Sequence, residues 1–502
     1  MKLSVLLKAF PEIGTSSSFS SEEEVGYVRT DSRRLSERDL FCVPDSLGPK
    51  GPEYAALSDC RFVLFSDREN ASRELPGKIV LHSRMDPDRL AGRIASFLLS
   101  HPSEKLKVVG VTGTNGKTSL THILASLGEA AGKRTAVIGT VGVKFQGRTL
   151  DTGYTTPDAC SLQEILNEMQ IAGVEYVFME ASSHGLKLGR TLGTVFRAGI
   201  FTNLTQDHLD FHPDMEDYLK SKSILFHSLG KEDPSVFGIL DLSVSGGKEM
   251  QELLSADCPN LKLYALGEKG KEFEISNEEF SLTETTYNLN LPVSWGGLTK
   301  VRTNLLGGFN VRNTALALTA GLAFGWEKSL LLKALGSIPQ IPGRFQIYYS
   351  PDRSRMAVVD YAHTPDALKN ILTSVRESNP KELILLFGCG GDRDRTKRPQ
   401  MAGIAESLAD RVILTSDNPR TEDPESILDE IQAGFSSGYR PVFRDADRAA
   451  AIRKGISLLK EGGCLLVAGK GHEDYQIIGK EKRHFDDGEE IQKAWLFAES
   501  GR

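Results

Sequence analysis

An α/β fold in three domains is predicted for this chain by three observations. Its 502 residues are too many for one hydrophobic core. Apolar strands alternate with helical stretches in a middle region and again from Phe345 onward, as mostly parallel sheets require. Residues 108–119 read as an apolar strand, a glycine turn and the opening of a helix.

Composition narrows the class. Apolar content of 40% and charged content of 25% are those of an ordinary soluble protein. A net charge of −7 gives no general attraction to nucleic acid or to an anionic membrane, so an anionic ligand must be met by local lysines and arginines. Cys42, Cys60, Cys160, Cys258, Cys389 and Cys464 are scattered without paired spacing, which speaks against a zinc site and for free thiols in a reducing compartment. The apolar run in residues 1–10 is too short for a signal peptide or a membrane span, so a cytoplasmic location is expected.

The first domain is expected over 1–104 as a small α/β unit. Residues 25–33, 39–44 and 60–65 read as strands, 90–99 as a helix and 101–104 as a linker. Thr30, Asp31, Ser32 and Arg33 cluster hydroxyls with a guanidinium, suited to a phosphate or a uracil or simply to a solvated turn.

The second domain, 105–342, is expected to be a phosphate-loop ATPase domain with a mostly parallel sheet. Gly113, Thr114, Asn115, Gly116, Lys117, Thr118 and Ser119 supply backbone N–H groups and a helix N-terminus that attract a polyphosphate. Lys117 can reach the β- and γ-phosphates, and the Thr118 hydroxyl is placed for magnesium. The usual spacing wants a glycine where Val111 stands, so the loop is a compact form, pointing away from motors and switch GTPases. Strands follow at 135–139, 175–180 and 197–203, with helices at 161–172 and about 217–229. Ligands collect at the C-terminal ends of such strands. Glu180 closes one and is a candidate second magnesium ligand, or else an ordinary surface carboxylate. Residues 273–275, 280–282, 287–291 and 298–303 alternate like an added β-meander on the same domain, before a helix capped at 307–313.

The third domain, 343–502, is expected to be Rossmann-like α/β. Strands are read at 356–360, 383–387, 411–415 and 464–468, with helices near 365–376, 399–408, 424–434 and 446–459. The glycine-rich run 388–391 lacks the acidic residue that a dinucleotide fingerprint needs. The charged loops 392–398, 417–420 and 469–474 at strand ends carry more information.

Taken together, Thr30 to Arg33, Thr112 to Thr118, Thr155 to Pro157, Glu180 to His184, Asp207 to Asp210, Gly308 to Asn313, Asp360 to Pro365 and the three C-terminal loops resemble the Mur ligase family. The likeness is strongest to the type that adds the third amino acid to UDP-N-acetylmuramoyl-L-Ala-D-Glu in peptidoglycan synthesis. The resemblance implies that ATP phosphorylates the D-glutamate side-chain carboxylate and that an amine attacks the acyl phosphate. It implies two magnesium sites, one held by Thr118 and Glu180, the other by His208 and a carbamylated lysine (N6-carboxylysine) at Lys222. From the residues alone Lys222 is an ordinary helix lysine. Lys117, Glu180, His208 and Lys222 are then the catalytic set. Asn310, Arg344, Asp360, His363 and Lys397 match nucleotide-side positions, with no proton-transfer role given to His363. Ser32, Thr155, Thr156, Ser182 and Arg190 match contacts to the UDP-sugar peptide. Leu188 departs from the family pattern, which has a glutamine there.

Asp417, Asn418, Pro419 and Arg420 form the variant associated with meso-diaminopimelate, joined by Arg393, Gly469 and Glu473. An arginine fork can bind the second carboxylate that lysine lacks. Alternatives are the same ligation with L-lysine, a folylpolyglutamate synthase, and a nucleotide-regulated binding protein without ligase chemistry. A monomer is expected, with neither nucleic acid nor membrane as partner and with closure of the domains over the substrates.

Overall fold

Four of the five sheets are assembled from segments that are apolar on one or both faces, and the direction of each strand follows from what joins it to the next. The computed structural model describes residues 1–15, 17–66, 75–209, 211–229, 235–267, 269–281 and 283–500. They fall into two compact units, one of Met1–Phe273 with Leu316–Glu327, the other of Glu274–Ala315 with the chain from Lys328.

The first unit holds two sheets. A five-stranded sheet runs in the order Ile13–Thr15, Ile79–Ser83, Phe62–Ser66, Leu40–Cys42, Val28–Arg29, parallel except at its first strand. Its inner strands Leu40–Cys42 and Phe62–Ser66 are buried throughout, while the edge strands Ile13–Thr15 and Val28–Arg29 are partly open. The expected strand at 25–33 is a correction: pairing stops at Arg29, and Ser32–Arg34 is a 3₁₀ turn whose N-cap Asp31 accepts from the Arg33 backbone N–H. The expected linker at 101–104 is likewise a 3₁₀ turn, Pro102–Lys105, with Pro102 and Ser103 buried. Arg29 meets Glu164 through two 2.8 Å bonds, and Tyr27 donates to the Cys160 carbonyl at 2.8 Å, so this sheet is fastened to helix Ala159–Ile171.

The eight-stranded sheet has the order Lys262–Leu266, Phe237–Asp241, Ala198–Phe201, Lys107–Thr112, Tyr176–Glu180, Thr135–Gly139, Gly142–Phe145, Arg148–Leu150. Its first six strands are parallel and its last two form an antiparallel edge. Lys107–Thr112 lies near the middle, between strands that follow it in sequence, which puts the phosphate loop at the C-terminal edge of the sheet. Strands Phe237–Asp241 and Lys262–Leu266 had no counterpart in the sequence reading.

The second unit contains a three-stranded antiparallel sheet, Ile275–Phe280, Thr285–Asn290 and Leu298–Thr303. The two separate strands expected at 273–275 and 280–282 are one strand, and Leu282 lies outside the described residues. By compactness the meander groups with this unit. A six-stranded sheet follows in the order Gln346–Tyr349, Met356–Asp360, Gly463–Ala468, Glu382–Phe387, Arg411–Thr415, Phe443–Asp445, parallel except at the first strand. Its inner strands are buried along nearly their whole length, which is why they read as continuous apolar runs.

Candidate active site

The phosphate loop joins strand Lys107–Thr112 to helix Lys117–Ala130. Gly113 has φ +146°, and a Cβ there would lie 1.9 Å from the Thr202 hydroxyl, so only glycine fits. Val111 is inside the strand, paired with both Glu180 and Ile200, which explains the short loop: the turn begins only after the sheet ends. Asn203 accepts from the Thr114 N–H through its carbonyl and from the Asn115 N–H through its side chain, each at 2.9 Å. Thr202 donates to the Asn115 carbonyl at 2.6 Å, and the Thr205 N–H to the Thr114 hydroxyl at 3.0 Å. The sequence places residues 203–208 just past a strand end, where ligands collect, but that Thr202, Asn203 and Thr205 brace the loop has no signature of its own. Lys117 Nζ donates to the carbonyls of Gly113 at 2.9 Å and Thr114 at 2.7 Å, so its charge lies over the loop. Thr118 and Ser119 are buried in the first helical turn.

Glu180 closes the neighbouring strand and is 1% exposed. Its carboxylate accepts from the Thr140 N–H at 2.9 Å and the Thr140 hydroxyl at 3.2 Å, and that hydroxyl is 3.1 Å from Thr155 Oγ1. The Thr156 hydroxyl donates to the Glu180 carbonyl at 2.9 Å, while the Ser182 N–H donates to Thr156 Oγ1 at 3.0 Å. Arg190 donates to the Thr156 carbonyl at 3.1 Å, and its guanidinium lies 4.6 Å from the centre of the Tyr154 ring. Thr155, Thr156, Ser182 and Arg190 therefore belong to one network, while Ser32 lies in a separate element, the turn Ser32–Arg34. Leu188 caps the helix Ser183–Lys187 and is 47% exposed.

Lys222 and Lys220 occupy opposite environments on helix Met215–His227. Lys220 is exposed and pairs with Glu216 at 2.6 Å. Lys222 is 1% exposed, donates to the Gly113 carbonyl at 2.9 Å and sits 4.1 Å above the Tyr218 ring. Burial, reinforced by the nearby Lys117 charge, holds its ammonium well below the ordinary lysine range. His208 adopts a left-handed φ of +55°, with its ring 4.8 Å from that of His184 and its Nε2 3.5 Å from Asp207. Asp210 lies outside the described residues.

Among the described residues no three histidine, cysteine, aspartate or glutamate side chains gather as a metal cage. Magnesium is commonly held by one or two carboxylates together with phosphate oxygens and water. The buried Glu180 carboxylate and the Thr118 hydroxyl beside the phosphate loop fit that donor set. Lys222 fits a cation only as an anion, and its buried, readily deprotonated amine is the form that adds carbon dioxide.

In the second unit, Asn310 lies buried in the first turn of helix Gly308–Ala323, with its side chain donating to the Leu306 carbonyl at 2.9 Å. Asp360 ends its strand and accepts from the N–H groups of Phe345 at 2.8 Å and Ala362 at 2.9 Å, with burial raising its pKa. His363 Nδ1 lies 2.7 Å from the Tyr361 carbonyl, and burial lowers the imidazole pKa, so the ring is neutral with its proton on Nδ1. Lys397 donates to the His363 carbonyl at 2.8 Å, and the Arg344 guanidinium lies 5.2 Å from the Tyr361 ring centre. Arg344, Asp360, His363 and Lys397 thus surround one strand end.

The loops after three strands of the same sheet also converge. Arg420, at φ +51°, donates Nη1 to the Gly391 carbonyl at 2.8 Å. Gly391 itself packs on the next loop, since a Cβ there would lie 2.0 Å from the Pro419 carbonyl oxygen. Its glycine character serves loop packing, not a pyrophosphate. Asn418 donates to Glu473 at 2.7 Å and accepts from the Ile477 N–H at 2.9 Å. Gly469 opens the third loop with φ +117°. Glu473 is pushed above the usual carboxylate range by burial and by the Asp417 charge. Arg393 is exposed and donates to the Asp392 carbonyl at 3.2 Å. Two groups were missed. Lys470 is fully buried, 3.6 Å from Glu473 and 3.9 Å from Asp417. Arg448 pairs with Asp487 at 2.7 Å and donates to the carbonyls of Ser416 and Ala468. Lys470 belongs to the charged loop 469–474 but was not singled out within it, and Arg448 opens an ordinary helix; only folding makes them central.

A phosphate loop at a parallel sheet edge and a second α/β sheet with polar loops at its strand ends define an ATP-using enzyme of the ligase type. Residues 111–321 match the Mur ligase middle domain, and residues 343–471 match the Mur ligase, glutamate ligase domain. The chain belongs to the Mur ligase family. It is 57% identical over 99% of both chains to a UDP-N-acetylmuramoyl-L-alanyl-D-glutamate–2,6-diaminopimelate ligase of Leptospira interrogans serogroup Icterohaemorrhagiae serovar copenhageni. It is 37% identical over 98% of its length, and 99% of the relative's, to the ligase of that name from Trichormus variabilis. A solved structure with that title superposes with a TM-score of 0.72 at 32% identity, over 99% of this chain and 100% of the other.

Proposed function

We propose that the protein is an ATP-dependent ligase joining meso-diaminopimelate to the D-glutamate side-chain carboxylate of UDP-N-acetylmuramoyl-L-alanyl-D-glutamate, in peptidoglycan synthesis. The full-length 57% identity to a ligase of that name carries the reading. A carboxylate acylates poorly because its leaving group is oxide-like, and phosphorylation by ATP repairs this. The loop N–H groups and Lys117 bind and orient the phosphates, and the acyl phosphate is then attacked by the incoming amine with loss of phosphate. Magnesium, held by Thr118 and Glu180 and by His208 with carbamylated Lys222, would neutralise the phosphate charge. Thr155, Thr156, Ser182 and Arg190, with Ser32, take the UDP-linked substrate. Asn310, Arg344, Asp360, His363 and Lys397 take the nucleotide.

Arg420, with Arg393, Asp417, Asn418, Pro419, Gly469 and Glu473, takes the amino acid. Its guanidinium, fixed over the Gly391 carbonyl, supports recognition of a second carboxylate. Lysine would leave that cation facing no anion. The purified protein assayed with each amino acid tests this: meso-diaminopimelate should be used far faster than L-lysine, and the reverse order overturns the assignment. Arg420→Ala should cut the preference by about 100-fold, roughly 2.7 kcal/mol.

A further inference from the structure

We propose that Ser183, His212 and Asp217 form a hydrogen-bonded relay that positions Lys222 and His208 and thereby sets how tightly they hold a divalent cation. This rests on the reading of Lys222 as a carbamylated ligand.

The His212 ring is 1% exposed, yet both its nitrogens are engaged: Nδ1 lies 2.7 Å from Asp217 Oδ2 and Nε2 lies 3.0 Å from Ser183 Oγ. Asp217 also accepts from Lys187 Nζ at 2.8 and 2.6 Å, so it is an ionised acceptor. His212 Nδ1 therefore carries a proton directed at Asp217, and Nε2 shares a hydrogen bond with the Ser183 hydroxyl. Each of the three side chains is hydrogen-bonded, and Asp217 Oδ2 is shared by His212 and Lys187.

Each member is rooted beside a proposed ligand. Ser183 stands three residues after Glu180 and opens helix Ser183–Lys187. Asp217 stands in the first turn of helix Met215–His227, held by its N-cap Asp214, five residues before Lys222. His212 ends a tight turn from His208, donating its N–H to the His208 carbonyl at 2.9 Å. Its ring centre is 4.8 Å from that of Tyr218, the ring beneath Lys222 Nζ. The Tyr218 hydroxyl lies 3.3 Å from Thr114 Oγ1 in the phosphate loop. A single buried imidazole thus links the Glu180 strand end, the His208 turn and the Lys222 helix. Such partners orient ligands without touching the cation.

The test compares the intact protein with Ser183→Ala and His212→Phe, with ADP present. Manganese(II), read by electron paramagnetic resonance, probes the cation site. In ¹³C-bicarbonate, carbon NMR reads the lysine carbamate. His212→Phe should weaken manganese binding by about tenfold or more and remove the carbamate signal, and Ser183→Ala should weaken binding by about threefold. A folded His212→Phe with unchanged affinity and signal overturns the relay. Should His212→Phe fail to fold, Ser183→Ala, which removes one oxygen, decides by the same criterion. Absence of the carbamate signal in the intact protein would overturn the reading of Lys222, and the relay would then stand or fall on manganese affinity.

Discussion

Two lysines two residues apart show how position, not type, makes a functional group. Lys220 points to solvent and pairs with Glu216, and its ammonium is held above the ordinary range by that partner. Lys222 is enclosed beside the phosphate loop with a second lysine nearby, so its charged form is disfavoured. The cost to stability has a definite sign. With the folded pKa below the ordinary 10.5, the unfolded chain binds more protons between the two values. The penalty is complete below the folded pKa and fades as pH rises toward 10.5. Lys222→Met should therefore be more stable than the parent at pH 7 by roughly 1 kcal/mol in carbon-dioxide-free buffer, while losing ligase activity. The advantage should shrink toward pH 10. Denaturant unfolding at both pH values checks this, and a less stable variant would refute it.

The phosphate loop shows how much of an element its neighbours hold. Its glycines, lysine and threonine were legible because strand, turn and helix follow one another in the chain. The side chains that shape it were not, because Thr202, Asn203 and Thr205 come from a strand end about ninety residues later, brought alongside by parallel pairing of Ala198–Phe201 with Lys107–Thr112. Asn203 both accepts from the Asn115 N–H and donates to the Asn115 carbonyl at 3.3 Å. Asn203→Ala removes both bonds while leaving every phosphate-contacting group in place. The KM for ATP should rise about tenfold, roughly 1.4 kcal/mol, with the KM for diaminopimelate unchanged. Steady-state kinetics with each substrate varied in turn checks the split.

The chain crosses between its two units more than once, and each has its own core. In the second unit one ion pair carries unusual weight. Arg448 and Asp487 are wholly buried, and the arginine also donates to the carbonyls just before Asp417 and Gly469. Arg448→Ala would leave a buried carboxylate unpaired and release the loops after Ser416 and Ala468 together. A loss of about 3–5 kcal/mol is expected, with a higher KM for diaminopimelate. Hydrogen exchange should show the lost protection in residues 274–315 and beyond 328, and loss spread equally through residues 1–273 would contradict the division.

What the chain's order of residues determined was local: the phosphate loop, the strand ends bearing Glu180 and Asp360, the Asp417 to Arg420 loop and the alternation that builds parallel sheets. These are legible because their physics acts within a few residues, through glycine conformation, helix termini and apolar periodicity. Only the tertiary structure decided that Lys222 is buried, that His212 joins Ser183 to Asp217, and that Lys470 and Arg448 underlie the 417–420 and 469–474 loops. Burial and charge pairing depend on groups distant in sequence, so a lysine, histidine or arginine acquires its chemistry only when the sheets bring those groups together.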